Sequence, residues 1–309
     1  MAKKIILDCD PGIDDAMAIA YALGSPNLDL VGITTVAGNV SLDKTTANAL
    51  RLREFLGAAD MPVFAGCAMP LLRPALTAEH VHGLDGLGGA ALPPPGGVAA
   101  PEHASDFIID TIRRAPGEIT LVAIGPLTNI ALALRREPAL TAQVRDFVIM
   151  GGSTTRGNVT PAAEFNIAAD PEAAAVVFSA GWTVTMVGLD VTLQAVANKA
   201  VTDRLSALGR LAEVLLLPSL GAYADDEIGY PAVHDLCAVA HVARPDLLGL
   251  RPARVEVETA GRWTSGMTVT DFRAPAGDCN ALVATTIDVP ALWDTVHDAY
   301  SRLPVTGAN

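Results

Sequence analysis

The 309-residue sequence has little positive charge: 21 lysine and arginine residues stand against 34 aspartate and glutamate residues, and the formal net charge is −13. Nucleic acids and anionic membrane surfaces attract basic proteins, so this balance argues against both as partners. A small neutral ligand, or one bridged by a metal ion, fits an acidic protein better.

Cysteine is also scarce. The four cysteines lie far apart with no CxxC spacing: Cys9, Cys67, Cys237 and Cys279. This pattern argues against both a zinc site and a disulfide framework, and it predicts reduced, mostly buried thiols.

Long apolar runs are missing as well. Half of the residues are nevertheless hydrophobic, which argues against disorder. The N-terminal MAKKIILDCD has too short an apolar segment for a signal peptide and enters an acidic motif at once. The most apolar later stretch, residues 173–189, is broken by Ser179-Ala180-Gly181, which predicts a helix, a turn and a strand. We therefore expect a cytoplasmic protein.

Four carboxylates follow the first predicted strand, Ile5-Ile6-Leu7, whose continuous apolarity indicates burial on both faces: Asp8, Asp10, Asp14 and Asp15. Pro11-Gly12 ends the strand, and a helix is predicted from Asp14 onward. Clustered carboxylates need a cation, and oxygen-rich ligation suits Ca²⁺ or Mg²⁺ better than Zn²⁺. The alternative is that Asp14 and Asp15 cap the helix while Asp8 and Asp10 face solvent.

Strand and helix patterns alternate along the chain. Strands are predicted at residues 28–35, 61–65, 119–124, 147–150 and 183–189, and helices at 43–56, 103–115, 127–136, 171–179 and 205–217. We therefore expect an α/β fold with a mostly parallel open central sheet and helices on both faces. Alternating polarity at 254–258 and 267–270, continued at 280–287, predicts a small antiparallel extension near the C-terminus. Residues 1–309 are predicted to form a single domain.

The predicted loops carry polar side chains that buried helix–sheet junctions do not need. Asn39 follows the second strand, Asn158, Glu164 and Asn166 occupy the loop after residues 147–150, and His234-Asp235 precedes a late apolar run. Amides donate and accept hydrogen bonds and a carboxylate accepts strongly, so these groups suit a sugar with several hydroxyls.

Structural roles are the alternatives for several of these residues. Asn39 could close a turn, and Glu164 and Asn166 could cap a helix, although the next helix is expected to begin near residues 170–171. We assign Thr128 and Asn129 mainly to capping a helix. The long connection at residues 66–101, rich in proline and glycine, is typical of a functional loop or lid.

Seven motifs in order resemble the inosine-uridine preferring nucleoside hydrolases. They are DCDPGIDDA at 8–16, VAGNV at 36–40, HGLDGLGG at 82–89, GPLTN at 125–129, MGG at 150–152, GNVTPAAEFNIAADPEAA at 157–174 and PAVHD at 231–235. The resemblance implies a Rossmann-like nucleoside hydrolase fold and a homodimer or homotetramer that binds a small-molecule nucleoside.

The resemblance also implies roles for individual residues. A Ca²⁺ ion would be held by Asp10, Asp15, the carbonyl of Ile124 and Asp235. Ribose hydroxyls would be met by the residues at the matching positions, which are Asp14, Asn39, Asn158, Glu164 and Asn166. His234 would lie near the leaving base, and His82 would either touch substrate or be an ordinary loop histidine.

Cleavage of an N-glycosidic bond passes through an oxocarbenium-like sugar, which nearby carboxylates stabilise. With water as the nucleophile, Asp10 is the candidate base, and His234 is the candidate group that assists the leaving base. Tyr223 and Tyr230 could line the base pocket. No tryptophan lies in a matching motif, which favours uridine and inosine as substrates over strict purine use.

Two other functions compete with nucleoside hydrolysis. The first is a Mg²⁺-dependent phosphatase of the haloacid-dehalogenase type, which also has a D-x-D motif after its first strand. The extra carboxylates Asp14 and Asp15 argue against it, because they repel an anionic substrate. The second is a catalytically silent nucleoside-binding relative, which would be expected to have lost Asp10 or another ligand.

Overall fold

The computed structural model describes residues 2–223 and 229–306. Within them the sheet has nine strands: β1 (Lys3–Cys9), β2 (Leu28–Thr35), β3 (Val63–Ala65), β4 (Ile119–Ala123), β5 (Asp146–Met150), β6 (Val184–Val187), β7 (Leu248–Val257), β8 (Thr268–Asp271) and β9 (Ala281–Ile287). Their order is β3-β2-β1-β4-β5-β6-β9-β7-β8. All neighbours are parallel except β7, which is antiparallel to both β9 and β8. The predicted α/β class and the antiparallel extension are confirmed.

Strand β1 is buried on both faces, as its continuous apolar sequence predicts. Ile5 and Leu7 pack into the core on one side of the sheet, and Ile6 packs into the core on the other side. Helices cover both faces of this parallel strand, so the central residues Ile5, Ile6 and Leu7 are apolar on both sides before Asp8 is reached.

The helices are α1 (Ile13–Gly24), α2 (Leu42–Phe55), α3 (Glu79–His82), α4 (Ala104–Arg114), α5 (Thr128–Arg136), α6 (Phe165–Ala169), α7 (Pro171–Phe178), α8 (Leu189–Thr192), α9 (Lys199–Ser206), α10 (Gly209–Leu211), α11 (Leu217–Ala222), α12 (Asp235–Ala243) and α13 (Val289–Tyr300). Helices α1, α2, α12 and α13 cover one face of the sheet, and α4, α5 and α7 cover the other. In the part of the chain that the structure describes, no helix is both long and apolar enough to cross a membrane.

The predicted helix at residues 205–217 is wrong in its bounds. Helix α9 begins earlier, and a π-helical segment, Ala212–Leu216, separates α10 from α11. The Leu217 N–H donates to the carbonyl of Ala212, five residues earlier. Pro218 follows at the start of α11 and has no N–H for a regular helical bond, so the backbone widens just before it.

The chain reverses its strand order at β1, which lies between β2 and β4. In open α/β sheets such a switch point leaves a crevice outside the carboxyl ends of the two strands that flank it. The register aligns these ends, because Asp8 of β1 pairs with Thr34 of β2 and with Ala123 of β4. The acidic motif therefore enters the crevice directly from β1.

Candidate active site

A cavity of about 370 Å³ lies at the carboxyl edge of the sheet. Its wall includes Met150 at the end of β5 and most of the predicted site residues: Asp14, Asn39, His82, Ile124, Asn158, Glu164, Asn166, His234 and Asp235. Of the described residues for which the resemblance implies a metal, ribose or base contact, Asp10 and Asp15 are the two that do not reach the wall. They are buried at 1% and 0% exposure.

Three carboxylates from two distant segments meet at this cavity. Asp14, Asp15 and Asp235 each offer an oxygen atom, and these atoms lie within 4.8 Å of one another. Burial, followed by the charge of Asp14, raises the pKa of Asp15 to about 7. The same causes raise the pKa of Asp235 well above its ordinary value. Like charges at this distance in a buried site require a cation or a shared proton.

Asp10 lies next to this cluster in a tight cradle. Its Oδ2 atom accepts the Asn39 N–H at 2.7 Å, while its buried Oδ1 atom has no hydrogen-bond partner among the described residues. A Cβ atom on Gly38 or Gly125 would lie less than 3.0 Å from this carboxylate. Burial, and next the charge of Asp15, raises the pKa of Asp10 well above its ordinary value.

These residues fit a hard divalent cation. The donors are all oxygen atoms, the carboxylates are buried, and one of them has an oxygen without a partner. Among the described ion pairs, none joins these carboxylates to a lysine or an arginine. Oxygen-rich sites of this kind suit Ca²⁺ or Mg²⁺.

The two buried amides position other groups as well as lining the cavity. Asn39 Nδ2 donates to the carbonyl of Asp10 and to Oδ2 of Asp15, both at 3.1 Å. Asn166 Nδ2 donates to the carbonyls of Ile124 at 2.9 Å and Met150 at 3.1 Å. The side chain of Asn39 therefore does more than close a turn, because it contacts the Asp15 carboxylate directly.

Glu164 caps a short helix, α6, that was not predicted from the sequence. It is the N-cap of α6, and its carboxylate accepts the N–H groups of Asn166 and Ile167 as well as that of Gly152. The helix predicted near residues 170–171 is present as α7, with Asp170 as its N-cap, and the five-residue α6 comes before it. Burial raises the pKa of Glu164 to about 7.

Asn158 is exposed and lies on the loop that forms one rim of the cavity. Its Oδ1 atom accepts the Phe165 N–H at 2.9 Å. This bond ties the loop to the start of α6 and brings Asn158 to the same cavity as Glu164 and Asn166.

Three rings line another part of the wall. His82 is buried, and its Nδ1 atom accepts the Ile13 N–H at 3.1 Å, so the ring docks on the start of α1. Tyr223 lies between His82 and His234, with ring centroids 5.4 Å and 6.4 Å away. The Tyr223 hydroxyl and the backbone N–H of His234 both donate to Oδ2 of Asp14. Within the described residues, Tyr230 is not part of the wall.

Two predictions about polar residues near the strand ends are wrong. Thr128 and Asn129 do not cap α5, whose N-cap Leu127 has no side-chain cap. Asn129 instead donates to Oδ1 of Asp8 at 2.8 Å, and Thr128 donates to Asp170. Asp8 also accepts the Thr34 hydroxyl, so it turns away from the cluster formed by the other motif carboxylates.

Sequence inspection missed Thr192, which lies at the end of α8. Its Oγ1 atom is 2.8 Å from Nδ1 of His234, 42 residues away in the chain. The sequence did carry one signal. Thr192 lies just after the strand predicted at residues 183–189, and other predicted site residues also follow strand ends.

A doubly wound sheet with an acidic cavity at its switch point is typical of α/β enzymes that act on small polar ligands. Comparison with known proteins makes the assignment specific. The family model for inosine-uridine preferring nucleoside hydrolases matches residues 5–294. The chain belongs to this family of metal-dependent hydrolases, and it is an enzyme that cleaves N-glycosidic bonds.

Similar proteins cover nearly the whole chain. The inosine-uridine preferring nucleoside hydrolase of Leishmania major is 45% identical over 310 residues, covering 98% of this chain and 99% of its own. The non-specific ribonucleoside hydrolase RihC of Salmonella typhi is 47% identical, covering 97% and 98%. The solved structure of a purine-preferring ribonucleoside hydrolase from Gardnerella vaginalis superposes with a TM-score of 0.91 at 34% identity, covering 97% and 98%. These matches confirm the resemblance and argue against the phosphatase alternative.

Proposed function

We propose that this chain hydrolyses ribonucleosides of the inosine and uridine type to free base and ribose, with Ca²⁺ as its metal. The observation that carries the proposal is the group of buried carboxylates, Asp10, Asp14, Asp15 and Asp235, beside a cavity whose wall also carries amides. The carboxylates suit a cation, and the amides suit sugar hydroxyls.

The metal-binding residues proposed are Asp10, Asp15, Asp235 and the carbonyl of Ile124. When bound, Ca²⁺ would supply positive charge that acidifies a water molecule and orients the sugar hydroxyls. Asn39 supports this arrangement because it donates to both Asp10 and Asp15. Asn166 supports it in the same way, because its Nδ2 orients the carbonyl of Ile124.

Asp10 is proposed to accept the proton of the attacking water at Oδ1. This oxygen has no hydrogen-bond partner among the described residues. Its other oxygen is held by the Asn39 N–H, so the carboxylate cannot rotate freely. Asp14, Asn39, Asn158, Glu164 and Asn166 are proposed to bind the ribose. The carboxylates among these residues also stabilise positive charge at the anomeric carbon.

His234 is proposed to assist the departing base, and His82 and Tyr223 to form the wall around it. All three side chains line the cavity. A hydrogen bond to the base lowers the barrier because negative charge develops there as the bond breaks.

We also propose that the chain forms a homodimer or homotetramer, which light scattering on purified protein would test.

The experiment is a reducing-sugar assay with inosine, uridine, cytidine and adenosine, run with Ca²⁺ and without phosphate. We expect ribose from inosine and uridine, and its release without phosphate would establish hydrolysis rather than phosphorolysis. If neither these four nor 2′-deoxynucleosides released sugar while calorimetry still showed binding, the chain would be a silent nucleoside-binding protein.

Two variants test the assigned roles. Asp10→Asn should abolish most turnover even where metal analysis shows that Ca²⁺ remains bound, and intact turnover would refute the base assignment. His234→Ala should slow uridine hydrolysis more than that of an activated nitrophenyl riboside. Equal losses would place His234 outside leaving-group assistance.

A further inference from the structure

His234 is held by a threonine that lies outside the cavity. Thr192 is 0% exposed, and its Oγ1 atom lies 2.8 Å from Nδ1 of His234. Among the side-chain contacts that the structure describes, this is the one hydrogen bond of the Thr192 hydroxyl. A buried hydroxyl proton without an acceptor is energetically unfavourable, so the proton is directed to Nδ1.

We propose that Thr192 is a positioning residue that fixes the tautomer and the orientation of the His234 ring. A neutral imidazole that accepts at Nδ1 carries its proton on Nε2. His234 lines the cavity and Thr192 does not. With Nδ1 bonded to Thr192, the Nε2–H on the opposite edge of the ring would be the group that donates a hydrogen bond to the departing base. This inference rests on the proposed function of His234.

Helix α8, which carries Thr192, is anchored to the loop after β5. At the start of α8, the Leu189 N–H donates to the carbonyl of Gly152 at 2.9 Å. The Asp190 carboxylate accepts both the N–H and the hydroxyl of Thr154 at 2.8 Å. Helix α8 is thus tied to the loop after β5, and this position is set before substrate binds.

The test compares Thr192→Val, which keeps the shape and loses the hydroxyl, with Thr192→Ser, which keeps the hydroxyl. We expect Thr192→Val to lower kcat for uridine about tenfold or more while kcat for nitrophenyl riboside changes less than about twofold. Thr192→Ser should retain most of the uridine activity. The control is Thr120→Val, a buried threonine on β4 outside the cavity wall, which should not separate the two substrates.

A double-mutant cycle asks whether Thr192 acts through His234. In the His234→Ala background, Thr192→Val should lower uridine turnover by less than about twofold, because the group that it positions is gone. Full additivity of the two losses, or equal losses on uridine and nitrophenyl riboside, would overturn the proposal.

Nitrogen NMR on Ca²⁺-loaded protein labelled with ¹⁵N-histidine gives a readout without turnover. The His234 signals, assigned by their loss in His234→Ala, should show a proton on Nε2 and none on Nδ1, and Thr192→Val should disturb this pattern. A wild-type proton on Nδ1 would overturn the proposal. If the wild type released no ribose but showed the expected tautomer, the proposed function would fail while the positioning by Thr192 stood.

Discussion

The Asp10 carboxylate fits against Gly125 so closely that a Cβ atom on Gly125 would lie less than 3.0 Å from Oδ1 of Asp10. Gly125 follows Ile124 at the end of β4, so the same turn supplies a proposed metal-binding carbonyl and the space for a proposed metal-binding carboxylate. Gly125→Ala should displace Asp10 and weaken Ca²⁺ binding by about tenfold or more, which isothermal titration calorimetry would measure.

The control for this substitution is Gly277→Ala. An added Cβ on Gly277 would meet nothing within 4 Å, so its Ca²⁺ affinity should equal that of the wild type. Wild-type affinity in Gly125→Ala would show that Asp10 does not need its observed position to bind metal.

Removal of the metal should lower both activity and stability. Chelation followed by gel filtration should leave protein without ribose release, and added Ca²⁺ should restore it. Ca²⁺ at 100 times its Kd should raise the free energy of unfolding by about 2.7 kcal/mol, seen as a higher Tm. Asp235→Asn, which removes one of the clustered carboxylates, should abolish most of this Ca²⁺-dependent shift. Full activity in metal-free protein would refute the metal assignment.

The raised pKa of Glu164 makes part of the stability depend on pH. Burial raises this pKa from 4.5 to about 7, so the fold favours the neutral carboxyl. Its contribution is fully present below the unfolded pKa and is lost as pH rises through about 7. Glu164→Gln is neutral throughout.

The free energy of unfolding of the wild type minus that of Glu164→Gln should therefore fall between about pH 5 and about pH 8. The fall should be at most about 3.5 kcal/mol, since each pKa unit corresponds to about 1.4 kcal/mol. Urea titrations in the presence of chelator would measure it. A difference that stayed constant or grew with pH would contradict the raised pKa.

Asn129 should be intolerant of a negative charge. Its amide donates to Asp8 and to the carbonyl of Thr35, and its Oδ1 accepts the Cys67 N–H. Asn129→Asp would place a second carboxylate against buried Asp8 and should lower the free energy of unfolding by about 2 kcal/mol or more. The matched control is Asn27→Asp on an exposed side chain, whose amide makes a long 3.4 Å hydrogen bond to the carbonyl of Ala243, so urea unfolding should show a much smaller change.

The order of strands and helices could be predicted where an element has a clear hydrophobic period or clear start and stop signals in the sequence. The eight-residue β2 is found where its apolar run indicates, and β7 and β9 lie on the antiparallel side of the sheet. Helix α12 was not predicted, because every residue from Asp235 to Ala243 is buried and such a segment has no polar face to show a helical period. The helix predicted at residues 205–217 is not continuous, because the backbone widens at Ala212–Leu216, just before Pro218.

The candidate site could be predicted in its residue types more than in its contacts. The D-x-D-P-G-x-D-D motif indicated a cation, and the later amides and the His234-Asp235 pair indicated a sugar and a leaving group. The partners of Asn129 and Glu164 could not be predicted, because their types also suit helix caps. Glu164 does cap a helix, whereas Asn129 bonds to Asp8.

The sequence by itself determined the alternation of buried strands and helices, the carboxylates at the end of β1 and membership of the family, since each depends on local patterns or on motifs in order. Only the tertiary structure decided that Asp8 turns away from the other carboxylates, that Asn129 bonds to Asp8, and that Thr192 lies against His234. The physical reason is the strand order. It brings loops that are far apart in the chain to one edge of the sheet, and no local pattern carries that information.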